Sequence, residues 1–117
     1  MSETARELIA IFTSCGTRDE AARISQVLVE RRLVACAQLS EIESCYRWND
    51  AIQHETEWRL WLKTTKDRYP LVEAAIRELH SHELPAIYVL PVTRAFAPYV
   101  EWVAQSVAAP AVAKDRP

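Results

Sequence analysis

The segment Ser44-Cys45-Tyr46-Arg47-Trp48-Asn49-Asp50-Ala51-Ile52-Gln53-His54-Glu55-Thr56-Glu57-Trp58-Arg59-Leu60-Trp61-Leu62-Lys63-Thr64 decides the fold. From Ile52 onward it alternates. Glu55, Glu57, Arg59, Trp61 and Lys63 share one parity, and Thr56, Trp58, Leu60 and Leu62 share the other. Period two predicts a strand. Asn49-Asp50 lies between two β-rich runs and predicts a tight hairpin turn, a weaker signal than Asn-Gly. The hairpin arms, Leu33–Trp48 and Ala51–Thr64, have 16 and 14 residues. At about 3.3 Å per residue they reach roughly 45–50 Å. A compact domain of this length has a radius of gyration near 13 Å, hence a diameter of roughly 35 Å. The hairpin must therefore bend or project. Tyr46, Trp48, Trp58 and Trp61 give it more apolar area than a monomer leaves wet. Pairing with another chain's edge in a closed ring is the expectation. The alternative is a set of bulges that folds the hairpin back on its own domain.

Outward from the hairpin, Leu8–Thr13 is an apolar run that predicts a buried strand. Thr17 and Glu20 have the spacing of a capping box, and Ala21, Ile24, Val27 and Leu28 recur with helical period to about Arg32. Leu33–Leu39 again predicts a strand. Asp67 is placed to cap a second helix with Pro70 in its first turn. Leu71, Val72, Ala75, Ile76 and Leu79 form the apolar face of that helix, and Pro85 blocks its extension. Ala86–Val92 predicts the last strand, and a third helix starts near Pro98. The order β-α-β-β-α-β plus a C-terminal helix is the α+β ferredoxin-like sandwich with a long central hairpin. Residues 1–107 form one domain on this reading, and 108–117, rich in Ala and Pro, form a frayed tail.

Composition narrows the function. The chain has 117 residues and a single glycine, Gly16. A Walker loop needs two glycines and a lysine in one run, and a dinucleotide fingerprint needs more than one glycine. Fourteen basic residues against 16 acidic leave no basic stripe, so nucleic acid is not an expected partner. No apolar run approaches the roughly 20 residues of a membrane span. The first residues are polar and mixed in charge, which predicts no secretion signal. Three cysteines without a C-x-x-C argue against a disulfide framework and predict a reducing cytoplasm. Neither G-x-S-x-G nor H-E-x-x-H occurs, and no nucleophile–base pair stands out, so no enzyme is predicted.

Several segments together resemble the CutA divalent-cation tolerance family. They are Asp19-Glu20-Ala21, Leu28-Val29-Glu30-Arg31-Arg32-Leu33-Val34-Ala35-Cys36-Ala37, Ser44-Cys45-Tyr46-Arg47-Trp48, Glu57 with Lys63-Thr64, His80-Ser81-His82-Glu83-Leu84-Pro85, Pro91-Val92 and Tyr99-Val100-Glu101-Trp102. The resemblance covers roughly Leu8 to Val107. It implies a tight homotrimer, similar to PII signalling proteins, in which the long hairpins add strands to neighbouring sheets. It also implies binding of copper or other divalent metal ions and a link to metal tolerance. Three positions depart from the family pattern. Asp50 replaces a glycine, Ser81-His82 replaces Pro-Tyr, and Ala86 replaces a carboxylate proposed as a metal ligand.

Cys15 and His80, with Glu83, are the candidate metal ligands. A helix N-terminus after Cys15 favours its thiolate. Thiolate with imidazole suits Cu(I) or Zn. The plainer readings are a small strand-end residue for Cys15 and a helix C-terminal cap for His80. His82 is expected to be exposed. Cys36 reads as a small core residue, and Cys45 points to the opposite face from it. Tyr46, Trp48, Glu57, Trp58, Trp61 and Lys63 form either the trimer interface or the walls of an intersubunit cleft for a small ligand. Glu55 and Glu57 share a face, which on an exposed strand is commonly solvated. The functional alternatives to metal binding are a PII-like metabolite sensor and a trimeric scaffold for another protein.

Overall fold

A computed structural model describes residues 6–108. The elements run β1 (Leu8–Cys15), α1 (Arg18–Glu30), β2 (Cys36–Trp48), β3 (Ala51–Thr65), a 3-10 turn (Lys66–Arg68), α2 (Tyr69–Leu79), β4 (Ile87–Pro91) and α3 (Ala97–Val107). The four strands form one antiparallel sheet in the order β2-β3-β1-β4. This is the expected α+β ferredoxin-like arrangement.

The hairpin register is unbroken from Cys36↔Lys63 to Trp48↔Ala51, so no bulge folds it back. Asn49 and Asp50 close it with φ of 51° and 61°, the left-handed pair of a type I′ turn. Asn and Asp tolerate that region because their short polar side chains bond locally. The domain is accordingly long, 51 × 38 × 20 Å with a radius of gyration of 15.6 Å.

The odd-numbered residues of β1 face α1 and α2. Ile9, Ile11 and Cys15 join Ile24, Leu28, Leu60, Leu62, Val72 and Ile76 in one core. Each fully buried aliphatic side chain of this kind contributes roughly 1.5–3 kcal/mol. The even-numbered residues face the other side. There α3 covers one end of the sheet through Val103, Ala104 and Val107, and Tyr99 Oη lies 3.7 Å from Cys36 Sγ. The rest of that face is bare. Phe12 stacks on Tyr88 at 5.2 Å between ring centroids and packs on Trp61 at 5.1 Å. Trp61, Tyr88 and Leu90 are each about half exposed.

Several boundaries differ from expectation. α1 stops at Glu30, because Arg32 adopts φ 58° and the Leu33 and Arg32 amides donate to the Leu28 and Val29 carbonyls. That is a Schellman motif with arginine where glycine is usual. Leu33–Ala35 are therefore not a strand, and β2 begins at Cys36. Asp67 does not cap α2. It accepts a hydrogen bond from the Thr65 hydroxyl, and the residue preceding α2 is Arg68, which makes no side-chain cap. β4 is shorter than Ala86–Val92, and α3 runs on to Val107. Of the expected frayed tail, 108–117, residues 109–117 lie outside the described residues.

Candidate metal centre

Three elements converge at one end of the sheet. β1 ends in Cys15, which is fully buried. Two residues on, Thr17 caps α1, its hydroxyl accepting from the Glu20 amide at 3.2 Å. Glu20 does not return the contact as a capping box would. Its carboxylate accepts instead from the Ser81 amide at 2.7 Å and the Ser81 hydroxyl at 3.0 Å. The residue after α2 is His80, whose extended backbone (φ −81°, ψ 140°) ends the helix. Cys15 Sγ lies 3.8 Å from His80 Nε2, and His80 Nδ1 lies 3.7 Å from Glu20 Oε2. Cys15, Glu20 and His80 are the one group of three metal-ligating side chains within 4.8 Å among the described residues.

The hydrogen bonds fix the state of the ring. His80 Nε2 lies 2.7 Å from the Ser14 carbonyl oxygen, which can only accept, so Nε2 carries the proton. Nδ1 accepts from the His82 amide at 3.0 Å. The imidazole is thus a neutral Nε2–H tautomer with both nitrogens engaged. It does not cap α2. The Leu79 carbonyl takes a hydrogen bond from Arg23 at 3.4 Å instead.

The thiol also differs from expectation. Burial, then the nearby carboxylate of Glu20, pushes Cys15 up to about 12, with Arg23 opposing and Glu57 adding to the rise. Desolvation of the charged form outweighs the helix N-terminus, so Cys15 is a thiol at neutral pH. Burial also acts to raise the Glu20 carboxyl. The two Ser81 hydrogen bonds and the rings of His80 and His82 outweigh it and hold Glu20 below its ordinary value. Without metal this is a closed network of one thiol, one neutral imidazole and one carboxylate. An ion entering it must displace the thiol proton and free one imidazole nitrogen.

Glu83 lies outside this cluster, and Glu20 stands as its carboxylate. Reading Glu20 only as a cap hid it. The available signal was an acidic side chain one helical turn beyond a strand-end cysteine. Glu83 is exposed and lines a neighbouring cavity of about 500 Å³, together with Tyr46, Trp48, Glu55, Glu57 and His82. Ala86, at the position of the family carboxylate, lines the same cavity. His82 is exposed, as expected, with its ring 4.7 Å from that of His80.

The hairpin residues divide. Tyr46 donates to Glu55, which pushes its phenol up to about 12, and Ser14 donates to Glu57 at 3.5 Å. Trp61 and Lys63 share this face but lie farther along the sheet, the Lys63 ammonium 5.2 Å from the centroid of the Trp61 ring. They do not line the cavity. Trp58 is on the other face, packed against the core, with the Arg18 guanidinium 5.9 Å from its ring centroid. The six residues therefore do not form one wall.

The family model described as "CutA1 divalent ion tolerance protein" matches residues 9–106. The "Divalent-cation tolerance protein CutA" of Thermotoga maritima is 33% identical over 100 residues, 86% of this chain and 99% of its own length. "Protein CutA" of Homo sapiens is 33% identical over 97 residues, 82% of this chain but 54% of its own length. The crystal structure of the divalent ion tolerance protein CutA1 from Ehrlichia chaffeensis aligns with a TM-score of 0.84 at 34% identity. It covers 92% of this chain and 100% of its own.

Proposed function

This chain belongs to the CutA1 divalent ion tolerance family, and we propose from that premise that it is a homotrimeric metal-binding protein, not an enzyme. Its ligand is copper or another divalent ion, held by Cys15 and His80 with Glu20. The convergence of those three side chains, from β1, α1 and α2, carries the proposal. Sulfur with nitrogen and one carboxylate suits a borderline or soft ion. Burial adds selectivity, because an ion enters only if it binds strongly enough to offset the cost of ionising Cys15.

Trimerisation is supported by the bare face of Trp61, Tyr88 and Leu90 and by a hairpin that outruns its own domain. Apolar area of this kind marks an interface. A cytoplasmic location agrees with three cysteines that are all free. One native mass spectrometry experiment tests assembly and ligands together. The expected mass is that of three 13.4 kDa chains, with one metal per chain lost in both Cys15→Ala and His80→Ala. Unchanged uptake in both variants overturns the ligands, and a monomer mass overturns the assembly.

The 500 Å³ cavity favours a second reading, a PII-like sensor for a small metabolite. Its size and its Tyr46 and Trp48 walls suit a small organic ligand. A metal-free thermal-shift screen of nucleotides and metabolites separates the two readings. A reproducible rise in Tm, abolished in Trp48→Ala, supports the sensor, and the absence of any rise rejects it. The third reading, a trimeric scaffold for another protein, has no specific feature in its favour beyond the exposed aromatic face.

A further inference from the structure

A second thiol–imidazole pair stands on the hairpin, away from the buried centre. Cys45 of β2 and His54 of β3 are directly opposite in the register. Opposed residues share a face with their Cβ atoms about 4.5–5.5 Å apart. Glu43 precedes Cys45 by two residues and lies on the same face, opposite Thr56. Closer to the domain this face carries Leu39 and Leu60, which pack into the core under the helices. Beyond the helices it is bare, and Glu43, Cys45 and His54 are all exposed. They line a shallow cavity of about 270 Å³.

Both groups are uncommitted. The thiols and imidazoles that have hydrogen-bond partners among the described residues are Cys15, Cys36 and the His80 ring. Cys45 and His54 have none there. The contrast with the buried centre is chemical. Cys15 must lose a proton in a closed network, whereas Cys45 faces water.

We propose that Cys45 and His54, with Glu43 as third donor, form a surface site for a thiophilic d10 ion of the Zn(II) or Cu(I) type. Such an ion takes sulfur at about 2.3 Å and imidazole nitrogen at about 2.0–2.1 Å. Those bonds place the two donor atoms within the reach of side chains opposed across a strand pair. The strands hold both backbones in place, so little ordering is needed on binding. The thiol proton passes to solvent as the sulfur–metal bond forms. Glu43 completes the set by side-chain rotation, and Arg47 follows Cys45 along the same face. Three protein donors leave one position open, so the ion exchanges readily. The site uses none of the residues of the buried centre and stands or falls separately from it.

Alkylation of Cys45 by iodoacetamide, followed by peptide mass spectrometry on the full chain, tests this. Zn(II) is the probe, added to metal-free protein. Cys45 is expected to react readily without metal. Zn(II) is expected to slow it about ten-fold or more, as for any thiolate withdrawn by a metal. The same protection is expected in Cys15→Ala and none in His54→Ala. A Cys45 that fails to react without metal overturns the proposal. So does one that Zn(II) leaves unprotected, or protects equally in His54→Ala. All three hairpin side chains are exposed, so His54→Ala leaves the core intact.

Discussion

Ile11→Ala is expected to destabilise the protein by about 2–5 kcal/mol, the range for deleting a fully buried branched side chain. Ile11 has no exposed surface and sits at the middle of β1. It is paired with Leu62 of β3 on one side and Val89 of β4 on the other. Its side chain points into the core shared with Ile24, Leu28, Val72 and Ile76. Strands on both sides and helices above leave the neighbours little room to collapse, so a cavity remains. Against a total stability of about 5–15 kcal/mol the loss is severe. Urea unfolding at one fixed protein concentration measures it as a fall in the midpoint at unchanged slope. Val89→Ala is the control, because Val89 is 38% exposed, and it is expected to cost under about 1 kcal/mol. Equal losses in the two variants would contradict the placement of Ile11 at the centre of the core and of Val89 at its exposed margin.

The second large effect is alkaline. Cys15 titrates near 12 in the folded chain against an ordinary value of 9.0. Above pH 9 the unfolded chain releases a thiol proton that the folded chain retains. Stability is therefore complete below pH 9 and falls as pH rises towards 12. The loss approaches about 4 kcal/mol, at 1.36 kcal/mol per pH unit of separation. Denaturation midpoints of wild type and Cys15→Ala across pH 8 to 12 measure it, with the tyrosines and lysines common to both. The wild type is expected to lose its advantage over the variant in that window. Parallel curves would mean that Cys15 ionises in place. Bound metal should remove the extra slope, because the thiolate then persists at neutral pH.

Much of the fold was legible locally. The alternation from Ile52 to Lys63 is a property of consecutive residues, and so is the Asn49-Asp50 turn. Thr17 capped α1 as its spacing predicted. Leu33–Ala35 misled because a short apolar run reads the same in a strand and in the buried exit from a helix. Asp67 misled because Thr65, a nearer partner, engaged its carboxylate. Trp58 was grouped with Trp61 by chemistry, although their parity already separated them. The structure places one against the core and leaves the other on the bare face.

The sequence by itself determined the order of elements, the turn of the hairpin and the identity of Cys15 and His80 as the residues to watch. Those follow from periodicity and residue type within short windows. Tertiary structure alone decided that Glu20 joins them, that the His80 proton sits on Nε2, and that Cys15 is a thiol and not a thiolate. Cys15 and His80 are 65 residues apart in sequence, and Glu20 meets Ser81 across 61. The proton on His80 is fixed by the Ser14 carbonyl on β1. The Cys15 thiol is governed by desolvation, which depends on every element packed around it and on no single neighbour in the chain.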